Sequence, residues 1–262
     1  MRLKNADSAL TSPRPYKIRV KVAYIPFEQK MKFLPIKAVL FDLDDTLWPI
    51  APVISRAEIV LYDWLKTYAP TTADRFSIDS MCARRLELMA MHPHYQIDLW
   101  GLRHAVLCEA LSACGDDVAL AESAMAVFSE ARNAVTPFGD VLPGLQRLSG
   151  KVALGSISNG FADLDAIGMA QHFQVSLAAH SCGTAKPDPA IFHLACDALK
   201  IAPAEAVYVG DDLLLDVEAS QKAGLRAVWM NRFGRTAPSH IEPDAECMSL
   251  IELEDWLTKR LR

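Results

Sequence analysis

The chain alternates between two hydrophobic rhythms, and the changes of rhythm divide it into unequal parts. Ile36-Lys37-Ala38-Val39-Leu40-Phe41 is a short, nearly continuous apolar run, as expected of a strand buried on both faces of a parallel sheet. From 53 to 136 the pattern is helical, and nothing there resembles a strand. Ser55-Arg56-Ala57-Glu58 has capping-box spacing, with Ala57, Leu61, Trp64, Leu65 and Tyr68 forming an apolar face behind it. Pro70-Thr71-Thr72 is expected to end that helix. Others are expected near 77–91, 97–113 and 117–134, broken at His92-Pro93 and Cys114-Gly115-Asp116. Trp48-Pro49-Ile50-Ala51-Pro52 reads as a semi-rigid linker into this segment, and Thr136-Pro137 closes it.

Beyond residue 136 the pattern becomes β/α. Strands are expected at Val152–Ile157, Gln174–Ala178, Ala206–Val209 and Arg226–Met230, with helices over 143–150, 160–171, 188–200 and 213–223. Such alternation predicts an α/β fold: a doubly wound, Rossmann-like parallel sheet core made of 36–52 and 137–262. Residues 53–136 form a small all-helical domain inserted into it. Residues 1–35 are an N-terminal extension. Lys17–Val22 alternate as a strand would, but Pro13, Pro15, Pro26 and Pro35 interrupt them, and Met31 offers an alternative start.

Composition narrows the function without naming it. At 262 residues, with 51% hydrophobic and 23% charged positions, the chain can bury a sizeable core. No apolar run is long enough to span a bilayer, so no membrane partner is expected. The N-terminal stretch also lacks the apolar core of a secretory signal. Cysteines 82, 108, 114, 182, 196 and 247 show no paired spacing, which fits free thiols and a cytoplasmic location. Residues 1–37 hold nine of the 27 bases and two of the 32 acids, leaving 18 bases against 30 acids in the remainder. An acidic body argues against a nucleic-acid polymer as partner.

The chemistry collects where strands should end, which is where ligands bind in open parallel sheets. The first strand runs into Asp42-Leu43-Asp44-Asp45-Thr46. Crowded carboxylates destabilise a fold unless a cation or a chemical task requires them. In extended chain Asp42 and Asp44 can converge on one locus while Leu43 turns into the core. That suits a nucleophile and an acid/base partner beside a metal. The second strand ends in Ser158-Asn159-Gly160, a hydroxyl and N–H groups before a helix that suit a phosphate oxygen. Lys186 stands just before the prolines of Pro187-Asp188-Pro189, where an ammonium could offset the acids. The fourth strand ends in Gly210-Asp211-Asp212, with Asp216 a turn later, adding oxygen ligands for a hard divalent cation such as Mg²⁺.

In this order, these four clusters resemble the haloacid dehalogenase-like hydrolases, and within them phosphatases that carry a helical cap after the first motif. The resemblance covers about residues 36–232. It implies that Asp42 is the nucleophile and forms an aspartyl-phosphate, and that Asp44 is the acid/base. Ser158, Lys186 and the backbone near Leu43, Thr46 and Asn159 would bind phosphate. The Asp42 side chain, the Asp44 carbonyl and the Asp211 side chain would hold Mg²⁺, supported by Asp212 and Asp216. The expected substrate is a small phosphorylated metabolite: a nucleotide, flavin mononucleotide or sugar phosphate. Two rivals share parts of the pattern. A dehalogenase on the same fold would lack an acid at Asp44, and a receiver-type phospho-aspartate module would be shorter and have no insert. Within the helical segment, His92, His94 and Arg103 are the polar groups that could meet substrate, and Trp48 could line the entrance. Met81, Met89, Met91 and Met125 read as core filler.

Overall fold

The computed structural model describes residues 34–236 and 240–261; the expected extension at 1–35, with its strand at Lys17–Val22, lies almost wholly outside them. Six strands, β1 (Ala38–Phe41), β2 (Ala153–Ser158), β3 (Val175–Ala178), β4 (Ala206–Gly210), β5 (Arg226–Met230) and β6 (Ala245–Cys247), form one parallel sheet. Its order is β3-β2-β1-β4-β5-β6. Successive strands step one way from β1 and then restart on its other side at β4. The crevice between the ends of β1 and β4 is therefore the topological switch point, where open α/β sheets bind ligands. The first five strands fall where the hydrophobic pattern places them. The sixth is short, with alternating exposure, and carries no continuous apolar run.

The insert forms a layer of five helices: α1 (Ile50–Tyr68), α2 (Pro70–Arg75), α3 (Ile78–Met91), α4 (Leu99–Cys114) and α5 (Leu120–Asn133). Its apolar residues make a cluster of their own, including Leu61, Leu65, Leu107, Met125 and Phe128, all essentially inaccessible. The start of α1 corrects two expectations. The helix begins at Ile50, so Ile50-Ala51-Pro52 of the expected linker are its first turn, and Ser55–Glu58 lie in its interior rather than at a cap. The Asp45 carboxylate accepts from the Ile50 N–H at 2.9 Å, and Pro52 sits in the first turn, where a missing N–H costs nothing. Glu58 is buried, and its Oε1 accepts from Arg103 at 2.7 Å and Arg85 at 2.5 Å. Helix α1 ends at Tyr68, and after the single residue Ala69, Pro70 opens α2.

Arg103 is neither a solvated surface group nor placed at the acid pocket. It is buried with its guanidinium 3.6 Å from the centroid of the Phe128 ring, and burial pushes its pKa down to about 10. His92 and His94 lie on an exposed turn beside Tyr95. Met81 and Met125 are core residues, whereas Met91 is exposed.

The core helices are α6 (Val141–Ser149), α7 (Leu164–Ile167), α8 (Ala179–Cys182), α9 (Pro189–Leu199), α10 (Ala219–Lys222) and α11 (Leu250–Thr258), with a π-type turn over Leu213–Glu218. Strand alternation sends Val39 and Phe41 to the face covered by α6 and α11, through Leu145, Leu148, Leu250, Leu253 and Leu257. Leu40 and Tyr208 pack on the opposite face with Ile191, Phe192 and Ala195 of α9. Burying each such aliphatic side chain contributes roughly 1.5–3 kcal/mol. The single helix expected over 160–171 is instead α7 and a short turn, because Asp163 caps α7 and Gly168 closes it in a left-handed conformation. All six cysteines are free.

Candidate active site

Lys186 is the centre of the site. Its Nζ lies 2.5 Å from Asp42 Oδ1, 2.7 Å from Asp216 Oδ1 and 2.9 Å from the Tyr208 hydroxyl, which itself donates to the Ile157 carbonyl. Lys186, Asp42 and Asp216 are all nearly inaccessible. Burial alone would strip the ammonium of its proton, but Asp216 and Asp42 outweigh it and hold the Lys186 pKa well above its usual value. The Asn159 amide fixes the lysine backbone: Oδ1 accepts from the Lys186 N–H at 2.9 Å, and Nδ2 donates to its carbonyl at 2.8 Å. The Asn159 side chain is therefore committed to positioning Lys186, and only the backbone there is free for the phosphate contact expected of it.

Asp42, Asp211 and Asp216 each place a carboxylate oxygen within 4.8 Å of the others. One ammonium cannot balance three carboxylates. Burial, then Asp216 and Asp44, push the Asp42 carboxyl well above its usual range, with Lys186 opposing. Burial and Asp216 push Asp211 up to about 6, against Arg235, which donates to it at 2.9 Å. An all-oxygen cluster with surplus negative charge is the donor set of a hard divalent cation, so the residues fit a Mg²⁺ site. The two supporting acids divide their tasks. Asp216 pairs with Lys186 and accepts from the Asp212 N–H, while the Asp212 side chain caps the Leu214 and Leu215 N–H groups at 2.8 Å. Gly210 is required here: a Cβ would lie 2.3 Å from the Asp216 carboxyl.

Asp44 is held from two directions. Trp48 Nε1 donates to its Oδ1 at 2.8 Å, and Arg132 Nη2 donates to both carboxylate oxygens at 2.8 Å. Trp48 is thus fully buried against the Asp42–Thr46 turn and does not line an entrance. Asp45 adopts a left-handed conformation (φ 59°), which turns the chain so that its side chain caps α1. Gly160 lets the second strand end approach: a Cβ there would lie 3.0 Å from Asp44 Oδ2 and 3.3 Å from Ser158 Oγ.

Asp42, Asp44, Ser158, Asn159, Lys186, Asp211, Asp212 and Asp216 line one pocket of about 230 Å³. Thr46 is not among them; it is wholly buried, its hydroxyl unpartnered. Leu43 borders instead a second cavity of about 890 Å³, and Ser158 lines both. That larger cavity lies between the ends of β2 and β3 and helices α4 and α5.

The motif-bearing part of the chain, residues 36–224, matches the family model of haloacid dehalogenase-like hydrolases. The chain belongs to that family. Among curated haloacid dehalogenase-like relatives, the 5-amino-6-(5-phospho-D-ribitylamino)uracil phosphatase YigB of Escherichia coli K12 is 30% identical over 200 residues, 74% of this chain and 83% of that protein. The phosphoserine phosphatase of Thermus thermophilus is 35% identical over 158 residues, 58% of this chain and 63% of that one. Among solved structures, a 2-haloacid dehalogenase from Pseudomonas syringae superposes with TM-score 0.81 at 38% identity, covering 86% of this chain and 99% of that one.

Arg132 was not singled out from the sequence, although a signal existed. It continues the buried stripe Ala121, Ala124, Met125, Phe128 of α5, and an arginine on such a stripe needs a partner. Tyr208 looks like any strand residue, and its contact with Lys186 cannot be read from spacing.

Proposed function

We propose that the protein is a Mg²⁺-dependent phosphomonoesterase that works through an aspartyl-phosphate on Asp42. The observation that carries this reading is the Asp42–Lys186–Asp216 cluster, with Asp211 alongside, at the switch point of the sheet. An Asp42 oxygen attacks phosphorus and the bond to the leaving oxygen breaks as Asp44 protonates it. Asp44 then takes a proton from water, the water oxygen attacks phosphorus, and the bond to Asp42 breaks to release phosphate. Lys186 and the Ser158 hydroxyl bind phosphate oxygens, so the charge developing on them meets donors already in place. The Asp42 and Asp211 carboxylates, the Asp44 carbonyl and, by its proximity, Asp216 would hold Mg²⁺, which when bound neutralises phosphate charge. Arg132 and Trp48 keep Asp44 oriented beside Ser158 and Gly160. The helical layer acts as a cap that closes over the site, and the substrate is a small phosphorylated metabolite.

Dehalogenation is the second reading, favoured by the likeness to the Pseudomonas syringae protein. Asp44 and the acid cluster speak against it, since displacement of halide by a carboxylate needs neither a leaving-group acid nor a metal. Purified protein should release phosphate from p-nitrophenyl phosphate only with Mg²⁺ present. Halide release from 2-haloacids in EDTA, without phosphatase activity, would reverse the choice.

A further inference from the structure

The larger cavity has walls unlike those of the acid pocket. Because Ser158 belongs to both, the 890 Å³ space adjoins a phosphate seated on Ser158 and is open to the alcohol half of its ester. That volume suits a whole metabolite carrier and not a phosphate alone. Among the described residues no lysine or arginine lines it, and His180 is the one basic group there. Three carboxylates, Asp98, Asp163 and Asp165, border it. Arg132, close to the acid pocket, donates to Asp44 through Nη2, and its Nη1 is buried with no hydrogen-bond partner among the described residues.

The remaining polar groups are neutral and can both donate and accept: the hydroxyls of Ser129, Ser156, Ser176 and Ser181 and the amide of Asn133. Trp100 and Phe161 add aromatic surface. A carboxylate or second phosphate brought here would lose water and meet acids, with no lysine or arginine among the described residues to receive it. A hydroxylated carrier would replace its water contacts with serine hydroxyls, and a flat ring would lie against the aromatic side chains.

We infer that the natural substrate carries the phosphate as its single anion, on an uncharged, hydroxylated carrier bearing a planar ring. This rests on the phosphatase reading above and specifies its substrate class.

The test begins with p-nitrophenyl phosphate and Mg²⁺ on wild type and Asp42→Asn, which judges the phosphatase reading by itself. Two matched pairs of esters follow at fixed ionic strength. In 3-phosphoglycerate a carboxylate replaces one hydroxymethyl group of glycerol 3-phosphate, and the ester with the neutral carrier should lead by about tenfold or more in kcat/KM. Riboflavin 5′-phosphate should lead ribitol 5-phosphate by about tenfold, reading the ring. Ser129→Lys, which puts an ammonium in the wall, should narrow the glycerol pair's ratio by at least about fivefold. Because this is a ratio, a general loss of activity cancels. A phosphatase that treats 3-phosphoglycerate as well as glycerol 3-phosphate, or ignores the ring, overturns the inference and leaves the phosphatase reading standing. So does an unchanged ratio in Ser129→Lys. Absence of Asp42-dependent hydrolysis overturns both.

Discussion

The two sides of the acid pocket are built differently. On the sheet side, Asp42, Ser158 and Asp211 stand at or just beyond the ends of β1, β2 and β4, so strand register fixes their separations. On the helical side, Arg132 reaches Asp44 from the last turn of α5, a contact between residues 88 apart in sequence. The sheet side is an array of carboxylates needing counter-charge. The helical side supplies one guanidinium, and beyond it a cavity wall of hydroxyls, acids and aromatic rings. On the proposed reading, reaction type would reside in the sheet and selectivity in the layer above it, with Arg132 joining them.

The largest expected effect lies on the sheet side. Asp42→Asn should lose on the order of 10⁴–10⁶ in kcat, the scale of removing a covalent nucleophile. Lys186→Ala should lose about 10²–10³ in kcat as a phosphate contact disappears. It should also destabilise the fold by roughly 3–5 kcal/mol, because Asp42 and Asp216 are left buried without their partner. Arg132→Ala crosses the boundary between the two sides. Slack in Asp44 should cost up to about 10² in kcat with little change in KM, and added guanidinium should restore part of it. An unaffected kcat would mean that the helical side does not reach the chemistry.

A metal titration reads the sheet side without turnover. With the Asp211 carboxyl raised to about 6, protons compete with Mg²⁺ below that pH. Affinity measured by calorimetry should fall by at least about tenfold per pH unit as pH drops below 6. The raised carboxyls of Asp42 and Asp211 also make the metal-free fold less stable as pH rises through their folded values. Mg²⁺ should therefore raise the melting temperature more at pH 7.5 than at pH 5.5. The smallest effect on chemistry belongs to Glu58→Ala. It leaves Arg103 buried without its carboxylate and should cost roughly 3–5 kcal/mol of stability, with kcat per folded molecule unchanged.

The same division explains what the sequence disclosed. Five strands announce themselves by apolar runs, and a parallel sheet obliges their ends to converge, so the grouping of Asp42, Ser158 and Asp211 is legible in the sequence. Helical packing imposes no such rule. Glu58 imitated a capping residue because Ser55 lies three before it, while its real partners are Arg103 and Arg85. Asn159 and Asp212 have side chains suited to ligands, yet one clamps the Lys186 backbone and the other caps a helical turn. Competition from backbone groups for short polar side chains is invisible until the chain is folded.

The most direct measurement is mass spectrometry of the covalent intermediate. Asp44→Asn, given p-nitrophenyl phosphate and Mg²⁺ and quenched in acid, should gain one phosphoryl group on the peptide containing Asp42. Asp42→Asn should gain none. A phosphoryl group on another peptide, or steady phosphate release by an enzyme that never carries one, would contradict the proposed chemistry.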